Sequence, residues 1–182
     1  MAIVTNARAG MSAAGRATIL QLRAPQATAR EIAKEASTLV ASSPLPVVLS
    51  SRCDIALAAG AAGVNLPEND ITVQAARRLL GDRLVGCSVH SLEVALGAEA
   101  DGADYVIFGP VWPSPTHEGS PPAGIEMLAT VADALRIPVL AIGGVTEERI
   151  SQIHAAGAAG YAAISLFQPP HELFDFAETP RK

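Results

Sequence analysis

Aromatic residues make up only 4% of the 182 residues and charged residues 17%, against 49% hydrophobic. Basic residues are too few and too scattered for a nucleic-acid footprint. The net charge of −5 and the absence of a cationic cluster likewise argue against an anionic membrane surface. A small-molecule partner is expected, with no nucleic acid and no membrane. Cysteine is also scarce. Cys53 and Cys87 stand alone without a Cys-x-x-Cys spacing, which excludes a disulfide framework or a thiolate metal site and predicts two buried, reduced thiols. No apolar run reaches membrane-spanning length, and no charged region, apolar run and cleavage site open the chain, so a cytoplasmic location is expected. A chain of this size fills one sizeable core, which predicts a single domain over 1–182.

What the sequence has in abundance is a repeated joint. "ALAAGAAGVNL" (56–66), "AEADGADYVIF" (98–108) and "HAAGAAGYAAIS" (154–165) each run from an alanine-rich helix end, through glycine, into a β-forming stretch. Short apolar runs recur at 2–5, 18–22, 46–50, 63–66, 84–88, 105–109, 138–143 and 161–165. Helical stripes such as Ile32, Ala36, Leu39, Val40 and Ile125, Leu128, Val131, Leu135 lie between them. Continuous apolar strands alternating with helices predict a parallel sheet covered on its faces, and eight units predict a compact (β/α)8 TIM barrel. A doubly wound open sheet is the alternative. About a dozen residues separate the first two strands, which predicts a shortened first helix. The C-terminal helix should be short, and the tail after Phe176 loosely held.

In such a barrel the chemistry sits on the loops after the C-terminal strand ends. The candidates are Gln21 and Arg23, Ser50 to Arg52, Asn65 to Asp70, Ser88 and His90, Pro110 to His117, Gly143 and Gly144, and Ser165. In "AIGGVTEE" the paired glycines let backbone N–H groups approach an anion, and Thr146 is expected to cap the next helix. With Ser165 after the eighth strand, this predicts a phosphate site. Ser88 either binds the anion or caps a helix. Arg52 either pairs with Asp54 or Asp70 or reaches a substrate carboxylate. Arg23 leaves an apolar strand with no acidic neighbour in sequence, and reads as an anion ligand. His90 is expected to orient its loop or cap a helix, His154 and His171 to be structural or exposed, and Trp112 to wall the pocket or pack in the core or lid. The stretch "FGPVWPSPTHEGSPPAG" holds His117, whose ordinary pKa suits proton transfer.

The blocks "SSRCDIALAAGAAGVNLPEND", "GCSVHSLEVALGAEADGADYVIFGPVWPSPT" and "IPVLAIGGVTEERISQIHAAGAAGYAAIS" resemble the thiamine phosphate synthase/TenI superfamily over most of the chain. The resemblance implies a (β/α)8 barrel that binds a thiazole phosphate, of a kind that forms homodimers. It either joins this to a pyrimidine methyl pyrophosphate or isomerises a carboxylated precursor.

The synthase branch implies Mg²⁺ and basic groups for the departing pyrophosphate. Gln21 and Arg23 match its Gln-x-Arg-x-Lys, with Pro25 at the lysine. Ser50 and Ser51 replace an Asn-Asp pair, Asp70 remains as a metal carboxylate, and Thr116 is followed by His117 in place of lysine. The tautomerase branch implies no metal. "LP" at 66–67 and "SVHS" at 88–91 resemble it more closely, although Pro110 occupies the place of its histidine. The expectation is a TenI-like thiazole tautomerase with His117 and Arg23 catalytic, and Gln21, Arg23, Ser88, Thr116, Gly143, Gly144 and Ser165 holding the ligand. Thiamine phosphate synthase is the alternative, and a silent phosphate-binding or regulatory protein the third.

Overall fold

The computed structural model describes residues 1–114 and 121–167. The chain runs β1 (Ala2–Val4), α1 (Ala7–Ala13), β2 (Leu20–Leu22), α2 (Ala29–Ser42), β3 (Val47–Ser50), α3 (Cys53–Ala59), β4 (Gly63–Leu66) and α4 (Val73–Leu80). It continues through β5 (Leu84–Val89), α5 (Leu92–Ala100), β6 (Tyr105–Phe108), α6 (Ile125–Ala134), β7 (Val139–Ala141), a 3-10 turn (Glu147–Arg149), α7 (Ile150–Ala155) and β8 (Gly160–Tyr161). All eight strands form one sheet in chain order, and each neighbouring pair is parallel. The sheet closes through a parallel bridge between Ala2 and Ala163. There the Ile3 N–H donates to the Ala163 carbonyl at 3.0 Å, and the Ala163 N–H to the Met1 carbonyl at 3.2 Å. Closure decides against the open doubly wound sheet.

Local chemistry places the elements. Thr28 and Glu31 form a reciprocal capping box at the start of α2, and Thr72 and Ser91 cap α4 and α5. The repeated joints end as expected, with Gly60, Gly102 and Gly157 at positive φ. Helix α1 has only seven residues, as the short first crossover predicts. The expected run 161–165 contracts, because only Gly160 and Tyr161 pair with β7 before Ala163 turns to meet β1. The C-terminal helix and the tail lie outside the described residues.

Alternation along the strands sorts the side chains into two layers. Outward residues such as Leu20, Leu22, Leu49, Val64 and Val106 pack against the helices. There the fully buried Ala36, Ala56, Ala76 and Ala95 let the helices approach closely. Inward residues, including Ile3, Val48, Tyr105 and Ile107, fill the barrel. Gly86 belongs to this filling. A Cβ there would lie 2.1 Å from the Tyr105 ring, so only glycine admits the tyrosine. Cys53 and Cys87 are free and buried, as expected, and burial pushes the Cys87 thiol up to about 11.

The face opposite the strand C-termini is stitched by Arg77. Its guanidinium donates to the carbonyls of Gly81, Arg83 and Gly102 and to Asp104 Oδ2, which also accepts the Val85 N–H at 2.7 Å. One planar fork thus holds two αβ joints. Arg77→Lys keeps the charge but loses the fork, and is expected to cost about 1–3 kcal/mol in urea unfolding. An unchanged midpoint would show the stitch to be idle.

Candidate anion-binding site at the barrel mouth

Above the apolar filling the interior becomes polar. Gln21 is in register with Ile3 and Val48, Ser50 with Asn65, and Ser88 with Ile107, so these four polar residues share the inward face of β2 to β5. Gln21 Nε2 donates to Ser50 Oγ at 2.7 Å, and Asn65 Nδ2 to Ser88 Oγ at 2.9 Å. Gln21 and Asn65 are 3% and 2% exposed, yet Gln21 Oε1 and Asn65 Oδ1 accept no hydrogen bond. A buried acceptor left unpaired costs about 1–3 kcal/mol. The layer is therefore set to receive two donors. Sequence reasoning did not single out Asn65 or Ser50 as partners in this layer. The available signal was a polar residue inside each apolar run.

The loop after β7 supplies a second feature. Gly143 and Gly144 have φ of 89° and 63°, and no acceptor among the described residues takes either N–H. Two left-handed residues in succession need glycine. The loop after β6 packs directly on them: a Cβ at Gly143 would lie 2.6 Å from Pro110, and one at Gly144 2.7 Å from Trp112 Cβ. The Val111 N–H donates to the Ile142 carbonyl at 2.8 Å, and the Trp112 N–H to the Gly143 carbonyl at 3.2 Å. Half-buried Trp112 thus forms a wall of the glycine turn. Arg149, which sequence reasoning missed, donates from Nη1 to the Gly144 carbonyl at 2.5 Å and lies 4.9 Å over the Trp112 ring.

Other expectations divide. Thr146 makes no side-chain cap to the backbone of the turn that follows, contrary to expectation, and its hydroxyl near Glu148 helps hold that carboxyl below the usual range. Ser91, not Ser88, caps α5. Arg52 grips Asp54 through two bonds of 2.9 and 2.6 Å and holds its carboxyl down to about 2, so its role is the structural pair. His90 Nδ1 meets Glu68 Oε2 at 2.6 Å and ties the loop after β5 to the loop after β4. Arg23 is half-buried two residues beyond Gln21. Contrary to the expectation from its sequence neighbours, it already has a partner. Ser165 lies exposed in the turn after β8, and His154 is exposed on α7. Thr116, His117 and His171 lie outside the described residues.

For a metal, half-buried Asp70 offers one carboxylate, and its Oδ1 accepts the N–H of Ile71 at 2.7 Å. Ser50 Oγ already receives Gln21. No three His, Cys, Asp or Glu side chains converge among the described residues. This donor set does not fit Mg²⁺ held by protein alone. A cleft of about 290 Å³ also opens on this face between the loops after β1 and β2. There Glu31 Oε2 serves the capping box of α2 and Asn6 Oδ1 caps α1.

The family model described as thiamine monophosphate synthase matches residues 4–167. A thiamine-phosphate synthase of Chlorobium luteolum is 41% identical over 156 residues, covering 83% of this chain and 74% of that protein. A putative thiamine-phosphate synthase of Geobacter sulfurreducens is 43% identical over 157 residues, covering 84% and 74%. The solved thiamine phosphate pyrophosphorylase from Pyrococcus furiosus superposes with a TM-score of 0.81 at 32% identity, covering 90% of this chain and 84% of that one. These names point to the synthase and lend no support to the expected tautomerase.

Ser51, in the loop after β3, has a φ of 64° although it is not glycine. Asparagine adopts that conformation at lower cost. Ser51→Asn is expected to stabilise the fold by about 0.5–1 kcal/mol in urea unfolding. A lower midpoint would mean that the serine side chain compensates its own strain.

Proposed function

This chain belongs to the thiamine monophosphate synthase family, and from that premise we propose that it joins a pyrimidine methyl pyrophosphate to a thiazole phosphate. The observation that carries the reading is the pair of orphaned acceptors, Gln21 Oε1 and Asn65 Oδ1, beneath the mouth that also holds the glycine turn. A phosphate ester dianion offers only acceptors. Two buried acceptors therefore call for a donor-bearing heterocycle, and the backbone donors of Gly143 and Gly144 call for an anion. The site takes a ring at one place and a phosphate at another.

The bond changes favour the joining reaction over isomerisation. The C–O bond to pyrophosphate breaks with its electron pair going to the leaving group. The lone pair of the thiazole nitrogen then forms the new C–N bond. No proton need move. A tautomerase must instead take and return a proton. Here Pro110 stands where that branch carries a histidine, and His90 is committed to Glu68.

In this reading Arg23 faces the departing pyrophosphate, and Ser88 completes the polar layer beneath the ring. Gly143, Gly144 and Ser165 take the thiazole phosphate. The family's Mg²⁺ would neutralise pyrophosphate charge. Asp70 is the sole carboxylate that the family pattern assigns to it.

Incubating the protein with both substrates and Mg²⁺ should yield thiamine phosphate, read by oxidation to its fluorescent derivative. Absence of product, with isomerisation of a carboxylated thiazole phosphate instead, would reverse the reading. Arg23→Met should lower kcat by about 10²–10³ if its charge meets the leaving group. Gln21→Leu should raise KM for the pyrimidine substrate by about tenfold and leave that for the thiazole nearly unchanged.

A further inference from the structure

Glycine backbone loses more freedom on ordering than any other, so the Gly143–Gly144 turn costs a ligand entropy unless the fold has already ordered it. The loop after β6 packs on this turn, and one side chain completes the ordering. Arg149 donates to the Gly144 carbonyl at 2.5 Å, its guanidinium covers the Trp112 ring at 4.9 Å, and the Trp112 N–H returns to the Gly143 carbonyl at 3.2 Å. Glycine, arginine and tryptophan thereby form a closed circuit. Among the described residues no carboxylate lies within ion-pair distance of Arg149, and its neighbour Glu148 acts on it only as a nearby charge. We propose that Arg149 is a positioning residue of the anion site: it holds the Gly143–Gly144 turn against Trp112 and places a fixed positive charge beside it.

Two physical effects reinforce each other. A charged donor on the Gly144 carbonyl pins the turn that carries the Gly143 and Gly144 N–H groups and sets a positive charge beside them. Stacking on the indole keeps the guanidinium plane fixed, and a lysine, as a mobile point charge, cannot reproduce this. The chain has Pro25 and His117 where its family pattern has lysines. Arg149 supplies a cation to the phosphate side of the mouth from a different loop.

The inference rests on the proposed function only for the identity of the anion. Titration calorimetry on the whole chain should therefore use two probes, inorganic phosphate and thiazole phosphate, each at low and high salt. Arg149→Met should weaken both by about tenfold and flatten the salt dependence. Arg149→Lys should recover only part of the loss, and Trp112→Phe should bind nearly as the parent does while Trp112→Leu falls between. In turnover the loss should appear in KM for the thiazole and not in kcat. Should Arg149→Met fail to fold, the lysine and Trp112 variants carry the same test. The proposal is overturned if the parent binds neither probe, if Arg149→Met binds both as the parent does, or if Arg149→Lys restores affinity fully. If the parent makes no thiamine phosphate but its phosphate affinity still depends on Arg149, the synthase reading fails and this one stands.

Discussion

The parallel closure of β8 onto β1 is the constraint on which the site depends. With Ile3 and Ala163 hydrogen-bonded across the seam, all eight strands point the same way round a ring, and every loop that follows a strand opens on one face. Residues more than a hundred positions apart in sequence, such as Gln21 and Gly143, thereby come to a common mouth. The hydrogen bonds of the ladder do this without help from large side chains. Alanine at the helix contacts and glycine at Gly86 then let a chain with few aromatics close around a filled interior.

Burial gives that mouth its chemistry. In water the amides of Gln21 and Asn65 would be unremarkable. Enclosed among Ile3, Val48 and Ile107, each has one atom paired to a serine and one left over, and the leftover acceptors specify donors on whatever enters. The glycine turn has the opposite polarity, offering N–H groups and a neighbouring guanidinium. A ligand with a donor-bearing ring at one end and a phosphate at the other, or two ligands that share those parts, satisfies both. This division suits a reaction that joins a ring to a ring phosphate better than one that shuttles a proton.

The barrel was legible because its signals are local: an apolar run, a glycine joint, an amphipathic helix, repeated. The short α1 was legible from crossover length alone. Pairings across strands were not. Asn65 and Ser88 lie 23 residues apart, and their contact depends on a register that no local pattern encodes. The stretch "SVHS" offers two serines three residues apart, and the strand's continuation to Val89 is what assigns the cap to Ser91. Thr146 looked like a cap, yet its side chain bonds no backbone N–H of the turn that follows. Arg149 gave no signal because its partners lie across the mouth on the loop after β6. The choice between branches was misjudged for a related reason: "LP" and "SVHS" are short, whereas likeness to synthases extends over most of the chain.

The central claim is that ring and phosphate are recognised at two separate places on one mouth, the amide layer and the glycine turn. A crystal structure of the complex with thiazole phosphate and an uncleavable pyrimidine pyrophosphate analogue tests it most directly. The account predicts the thiazole phosphate within hydrogen-bonding distance of the Gly143 and Gly144 N–H groups and the pyrimidine donors on Gln21 Oε1 and Asn65 Oδ1. A phosphate seated instead in the cleft beside Asn6 and Glu31, with the amide layer still unpaired, would contradict it.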